Sequence, residues 1–171
     1  MSDYVPVKQL SPEELAKRKE ALASPTTAKL IKYAAKAQVK VFKLTKGRIG
    51  SKWRIGAGFR KPVPTLLLDH VGRKSGTLFT TPLLYLHDGD DVVIVASQGG
   101  LPKNPQWYPN LVAHPDTQVQ IKAEVRPVRA RTATPEERDR LWPMLVDLYA
   151  DFDVYRQCAD REIPVVILEP R

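Results

Sequence analysis

One cysteine in 171 residues, Cys158, excludes an internal disulfide, and nothing near it supplies the histidine and second thiol of a metal site. His70, His87 and His114 are scattered with no partner at metal-ligand spacing, and no serine or cysteine lies in a nucleophile motif. Zinc chemistry and acyl-enzyme hydrolysis are therefore poor readings. The opening MSDYVPVKQLSPEEL lacks the apolar run of a signal peptide, and no stretch approaches the roughly 18–20 apolar residues of a membrane span. The expectation is a cytoplasmic protein in a reducing compartment. Walker and GxGxxG loops are missing, as are internal repeats, a helix-turn-helix and RNA-binding motifs, so nucleic acid is not an expected partner.

Positive charge is what the chain has in excess. Lysine and arginine number 27 against 19 acidic residues, for a net charge of +8 and a pI near 9.6. Such a chain attracts polyanions: nucleic acid, an acidic membrane face or a small polyanionic ligand. Its length suits one compact core.

Ser11-Pro12-Glu13-Glu14 reads as a capped helix start that Ser24-Pro25 interrupts. A second helix is expected from about Thr26 to Lys46, with Lys29, Lys32, Lys36, Lys40 and Lys43 in one stripe. Gly47 closes that helix, and the segment to Pro64, holding Gly50, Gly56, Gly58, Pro62 and Pro64, reads as a linker. From Thr65 the runs TLLLDHV, LFTTPLLYLH and VVIVAS suggest three strands separated by GRKSG and DGDD turns. A short helical piece, PQWYPNLVAH, precedes two more strands, TQVQIKAEV and PVRARTA. Thr134-Pro135-Glu136-Glu137 caps a helix running to about Asp151, and IPVVILEP is a sixth strand. The pattern predicts an α+β fold, mainly β: a small barrel with helices outside it.

Three stretches carry chemical potential. Gly72-Arg73-Lys74-Ser75-Gly76 offers backbone donors, charge and a hydroxyl to a phosphate, or is a plain basic turn. The run Ser97-Gln98-Gly99-Gly100, followed by Trp107 and Tyr108, allows a flat ligand close approach, or is a loop with a core tryptophan. Tyr149 and Phe152 share a helical face, which Tyr155 joins if the helix breaks near Asp151 to Asp153; such aromatics are commonly packing residues. A phenol stays protonated at neutral pH and can hydrogen-bond an oxygen that gains charge.

Together GRKSG, VIVASQGG and KNPQWYPNL resemble the deazaflavin-dependent nitroreductase family of actinobacteria, the class A F-420H(2)-dependent oxidoreductases. The match continues through QVQIK, ATPEERDRLWPMLVDLY and IPVVILEP, covering Pro64 to Pro170. The resemblance implies a split β-barrel of the flavin-reductase type at 64–171, with a basic helical arm and linker at 1–63. It implies coenzyme F-420 as cofactor, with hydride passed to a quinone, enone or nitroaromatic.

By the same resemblance Arg73, Lys74 and Ser75 hold the anionic part of the cofactor. Phe79, Thr80, Thr81, Pro82, Leu83, Val95, Ala96, Ser97 and Gln98 form the wall along which it lies, and Trp107, Tyr108 and Asn110 close the site. Leu84, Tyr149, Phe152 and Tyr155 line the acceptor pocket, with Ser97, Tyr149 and Tyr155 as the catalytic set. Phe152 stands where nitroimidazole-active members have tyrosine, Phe79 where some have a basic residue, and Gln98 where relatives have lysine. The lysine stripe fits an anionic inner membrane face or a helix packed on its own barrel. The rival reading is a related barrel that binds flavin, haem or a fatty acid.

Overall fold

Two capping boxes set the starts of the first and the longest carboxy-terminal helix, as their sequences require. In a computed structural model, which describes residues 9–53 and 62–171, the Ser11 hydroxyl accepts from the Glu14 N–H while the Glu14 carboxylate accepts from the Ser11 N–H. Helix α1 follows over Pro12–Ala23, and Pro25 opens α2 over Pro25–Leu44. Thr134 and Glu137 repeat the reciprocal pair at the head of α4, Pro135–Leu148.

Among the described residues the sheet has eight strands rather than six. β2 (Val63–Val71) and β3 (Leu78–Leu84) form an antiparallel hairpin around the GRKSG turn. The stretch read as a linker contributes β1, Lys52–Trp53, paired to the start of β2; Gly56 and Gly58 lie outside the described residues. LFTTPLLYLH is two strands, not one. Its Tyr85 ring turns into the core at 7% exposure and its N–H donates to Pro64 O, so the chain leaves β2 there. β4 (Leu86–Asp88) then pairs with β5 (Asp91–Val95) through a tight turn that needs the positive φ of Gly89.

After α3 (Trp107–Ala113), β6 (Asp116–Ile121), β7 (Glu124–Thr132) and β8 (Val165–Pro170) complete a curled antiparallel sheet in the order β1-β2-β6-β7-β8-β5-β4. β3 pairs with β2 alone, which leaves its other edge without a strand partner among the described residues, along the barrel seam. This is an α+β split barrel.

Alternation along β5 and β8 buries both faces. Val92, Ile94, Val166 and Leu168 face an inner core with Leu66, Leu68, Trp107 and Leu111. Val93, Val95, Val165 and Ile167 face an outer core with Leu141, Leu145, Tyr149 and Phe152. α2 lies across β3, anchored by the fully buried Phe42, while Lys29, Lys32, Lys36, Lys40 and Lys43 are exposed. The last long helix stops short of Asp151: α4 ends at Leu148, and α5 (Asp151–Cys158) starts two residues after Tyr149. Among the described residues no helix is long and apolar enough to cross a membrane.

Candidate active site

The break between α4 and α5 decides where the phenols go. Because the helix ends at Tyr149, the Tyr149, Phe152 and Tyr155 rings fold together with centroids 5.2–6.3 Å apart. The Tyr149 and Tyr155 hydroxyls stand 3.3 Å apart, and Tyr149 donates to Asp151 Oδ2 at 3.3 Å. Burial pushes both phenols above their ordinary pKa, helped at Tyr149 by the neighbouring Tyr155 and Asp151. Arg18 of α1 balances that carboxylate, its guanidinium 3.6 Å from Asp151 Oδ2 and 5.8 Å from the Tyr155 ring centre.

The three aromatics line a cleft of about 330 Å³ between the seam and α2. Pro82, Leu83 and Leu84 of β3 form one wall, Val95, Ser97 and Gly99 another, and Ile31, Ala34, Ala35 and Gln38 of α2 a third. Thr65 of β2 also lines it, and its buried hydroxyl has no hydrogen-bond partner among the described residues.

The loop that carries Ser97 is held from below by Arg161. Its guanidinium donates to the carbonyls of Ala96, Ser97, Leu101 and Lys103, each at 3.2 Å. Gly100 lets this loop touch α5. At φ +85°, a Cβ there would lie 2.7 Å from Cys158 Cβ and 2.8 Å from Tyr155 O. Close approach at the second glycine therefore serves helix packing, and Gly99 alone of the pair faces the cleft. Gln98, at φ 46°, is exposed; with its amide nitrogen turned inward it lies 3.1 Å from the Lys103 and Asn104 carbonyls.

The GRKSG turn projects from the far end of β3, with Arg73, Lys74 and Ser75 exposed. Its Arg73 N–H donates to Asn110 Oδ1 at 3.1 Å. Asn110 Nδ2 in turn lies 3.0 Å from His70 Nδ1, and His70 Nε2 lies 3.0 Å from Thr81 Oγ1. Phe79 stacks on the His70 ring. Neighbouring Thr80 points the other way, donating to Asp69 at 2.6 Å and accepting from Lys43.

Eight sequence-predicted residues thus meet at the cleft: Pro82, Leu83, Leu84, Val95, Ser97, Tyr149, Phe152 and Tyr155. Asn110, Thr81, Phe79 and Arg73 gather instead around His70. Trp107 is not brought to the cleft; it is 4% exposed in the inner core. Ala96 is fully buried, and Tyr108 bonds Thr132 on the barrel's outside. Arg18, Asp151, Thr65, Gln38, His70 and Arg161 were not signalled by any sequence motif, since each acts through a lone side chain whose partners only the tertiary fold brings near.

A family model described as F-420H(2)-dependent quinone reductase matches residues 34–170. The chain belongs to that family. A Mycobacterium tuberculosis protein named as a candidate F-420H(2)-dependent quinone reductase is 58% identical over 118 residues, covering 69% of this chain and 99% of its own. A second from the same species, named an F-420H(2)-dependent quinone reductase, is 38% identical over 71% of this chain and 84% of its own. Among solved structures, an F-420-H2 dependent reductase superposes with TM-score 0.58 at 38% identity, over 62% of this chain and 94% of that one. A chain described as a domain-swapped dimer gives 0.60 at 31% identity, over 85% and 100%.

As a member of the F-420H(2)-dependent quinone reductases, the protein is an oxidoreductase with coenzyme F-420 as its cofactor. The residues present fit that group. A slot with mostly apolar walls suits a planar ring, and the unpartnered Thr65 hydroxyl and the strand-free β3 edge leave polar groups for its rim. From Leu78 to Leu84, β3 spans roughly 20 Å at about 3.3 Å per residue, room for an elongated cofactor with its anionic end at the basic turn.

Proposed function

We propose that the cleft takes a quinone acceptor against the Tyr149–Tyr155 pair, with the anionic end of F-420 on Arg73, Lys74 and Ser75. When bound, the reduced deazaflavin supplies a hydride. The observation that carries this reading is two protonated phenols 3.3 Å apart in an apolar cleft beside an open strand edge.

The residues divide the work by their protons. Tyr149 has one O–H, and it is directed at Asp151, so Tyr155 is the donor in the 3.3 Å contact between the phenols and the one whose proton an incoming acceptor oxygen can draw to itself. Its raised pKa keeps it protonated, able to hydrogen-bond the developing oxyanion but a poor full proton donor; the proton that completes the hydroquinone comes from water. Arg18 offsets the Asp151 charge, which would otherwise oppose that oxyanion. Ser97, 8% exposed, is held by Arg161 at the cofactor edge. Ile31, Ala34 and Ala35 of α2 give the cleft an apolar wall on that side.

Among the described residues no histidine, cysteine or methionine lines the cleft, so a haem there would have only the Tyr149 and Tyr155 phenols as ligands, and both are held protonated. Enones fit the same donor as quinones do. Phe152 brings no hydroxyl, so bicyclic nitroimidazoles are expected to turn over weakly or not at all, and efficient turnover would overturn that specificity. In this reading residues 64–171 are the cofactor-binding barrel and 1–63 the arm and linker, of which α2 lines the cleft and β1 joins the sheet. The arm also suits peripheral contact with an anionic membrane, because exposed Leu30, Tyr33 and Leu44 neighbour the lysine stripe. Charge reversal at Lys29, Lys32 and Lys36 should abolish binding to anionic liposomes; unchanged binding ends the membrane reading.

The site assignment is tested with Tyr155→Phe under saturating reduced F-420 and menadione. It should lower kcat roughly tenfold to a hundredfold with the cofactor affinity intact. An unchanged kcat removes Tyr155 from the chemistry.

A further inference from the structure

His70 is buried at 5% exposure on β2, two residues before the basic turn, and joins two groups that are 29 residues apart in sequence, Thr81 and Asn110. A neutral imidazole has one donor and one acceptor. Burial holds His70 below its ordinary pKa, against a smaller opposing pull from the Asp69 carboxylate, so the neutral ring is the form present near pH 7.

The neighbours then fix every proton. Asn110 must present its carbonyl oxygen to the Arg73 N–H, which turns its amide nitrogen to His70 Nδ1. Nδ1 therefore accepts, the ring proton sits on Nε2, and Nε2–H donates to Thr81 Oγ1. With a lone pair of Thr81 taken, its own O–H is left to donate elsewhere, from a half-buried position on the strand with the open edge.

We propose that His70 is a positioning residue for the cofactor: its Nε2–H tautomer makes the Thr81 hydroxyl a donor to bound F-420 and, through Asn110, pins the Arg73 backbone N–H of the anion-binding turn. The inference rests on the function proposed above and adds to it a residue that never touches the cofactor. The two arms of the relay separate by isostery. At position 70 an asparagine keeps an acceptor for Asn110 and loses the donor to Thr81, whereas phenylalanine loses both.

The test is titration of the full chain with oxidised F-420, read by deazaflavin fluorescence, for wild type, His70→Asn, His70→Phe, Thr81→Val and the His70→Asn/Thr81→Val pair. His70→Asn and Thr81→Val should each weaken binding about tenfold, the pair no more than the weaker single, and His70→Phe further than either. Additive losses in the pair, or no loss in His70→Asn, overturn the relay while leaving the reductase reading intact. A wild type that binds no F-420 overturns both. Because His70→Phe risks misfolding, the wild-type protein supplies an independent readout: a long-range ¹H–¹⁵N spectrum at pH 7 should show the Nε2–H tautomer of His70. The Nδ1–H tautomer or an imidazolium overturns the inference.

Discussion

The Tyr149 hydroxyl donates its only proton to Asp151 across 3.3 Å, and this one bond separates two phenols that the sequence presents as equals. With the Tyr149 proton taken, Tyr155 donates to Tyr149 and is the phenol whose proton an acceptor can redirect. Tyr149→Phe should therefore lower kcat several-fold, and Tyr155→Phe by the larger factor given above. Stopped-flow oxidation of reduced F-420 by menadione measures both; equal losses would mean the phenols act interchangeably, and loss in neither would end the phenol role.

Arg161 supports the Ser97 loop through a fan of hydrogen bonds that all end on carbonyl oxygens. Arg161→Met leaves several part-buried carbonyls unsatisfied and should destabilise the protein by about 2–4 kcal/mol. Arg161→Lys should rescue little, since a single ammonium cannot span that fan of acceptors. Chemical denaturation of the three proteins checks this, and full rescue by lysine would show that charge alone suffices.

Gly100→Ala forces a Cβ against the backbone of Tyr155 and the side chain of Cys158. The expected cost is about 1–3 kcal/mol from overpacking, together with a fall in kcat as α5 carries Tyr155 out of line. Thermal melts and menadione turnover read the two effects, and a variant equal to wild type in both would contradict the close contact between loop and helix.

His70 also links folding to pH. Its native pKa lies below the unfolded value of 6.5, so the unfolded chain binds the extra proton first. The stability it confers is full above about pH 6.5, declines as the pH falls toward the lowered native value, and is flat below that. Denaturation midpoints of wild type and His70→Asn between pH 7.5 and 5 should converge as the pH drops; a constant gap would contradict the neutral buried form.

Much of the fold was legible locally. The capping pairs Ser11–Glu14 and Thr134–Glu137 and the proline after each cap mark helix starts by short-range hydrogen bonding alone. Turn residues in GRKSG and DGDD mark two hairpins correctly. What was not legible depended on tertiary competition. Nothing in LFTTPLLYLH announces that Tyr85 turns inward, and no glycine or proline marks the helix break at Tyr149. β1 is too short to show a period. At the site, the aromatic spacing pointed to the phenols and the family resemblance to the cleft wall, yet Trp107 went to the core because a large apolar ring beside Leu66 and Leu111 is better buried than left at a rim. The His70–Asn110 and Arg161–Ser97 contacts span 40 and 64 residues, beyond the reach of any local pattern.

Whether this chain binds F-420 in the seam and reduces a quinone there is decided by titrating the purified protein with reduced F-420, adding menadione and then cyclohexenone, and following the absorbance of the oxidised cofactor. Saturable binding and return of that band with menadione are expected. Tight binding with no return for either acceptor would contradict the proposed use of the cleft, and no binding would contradict the account as a whole.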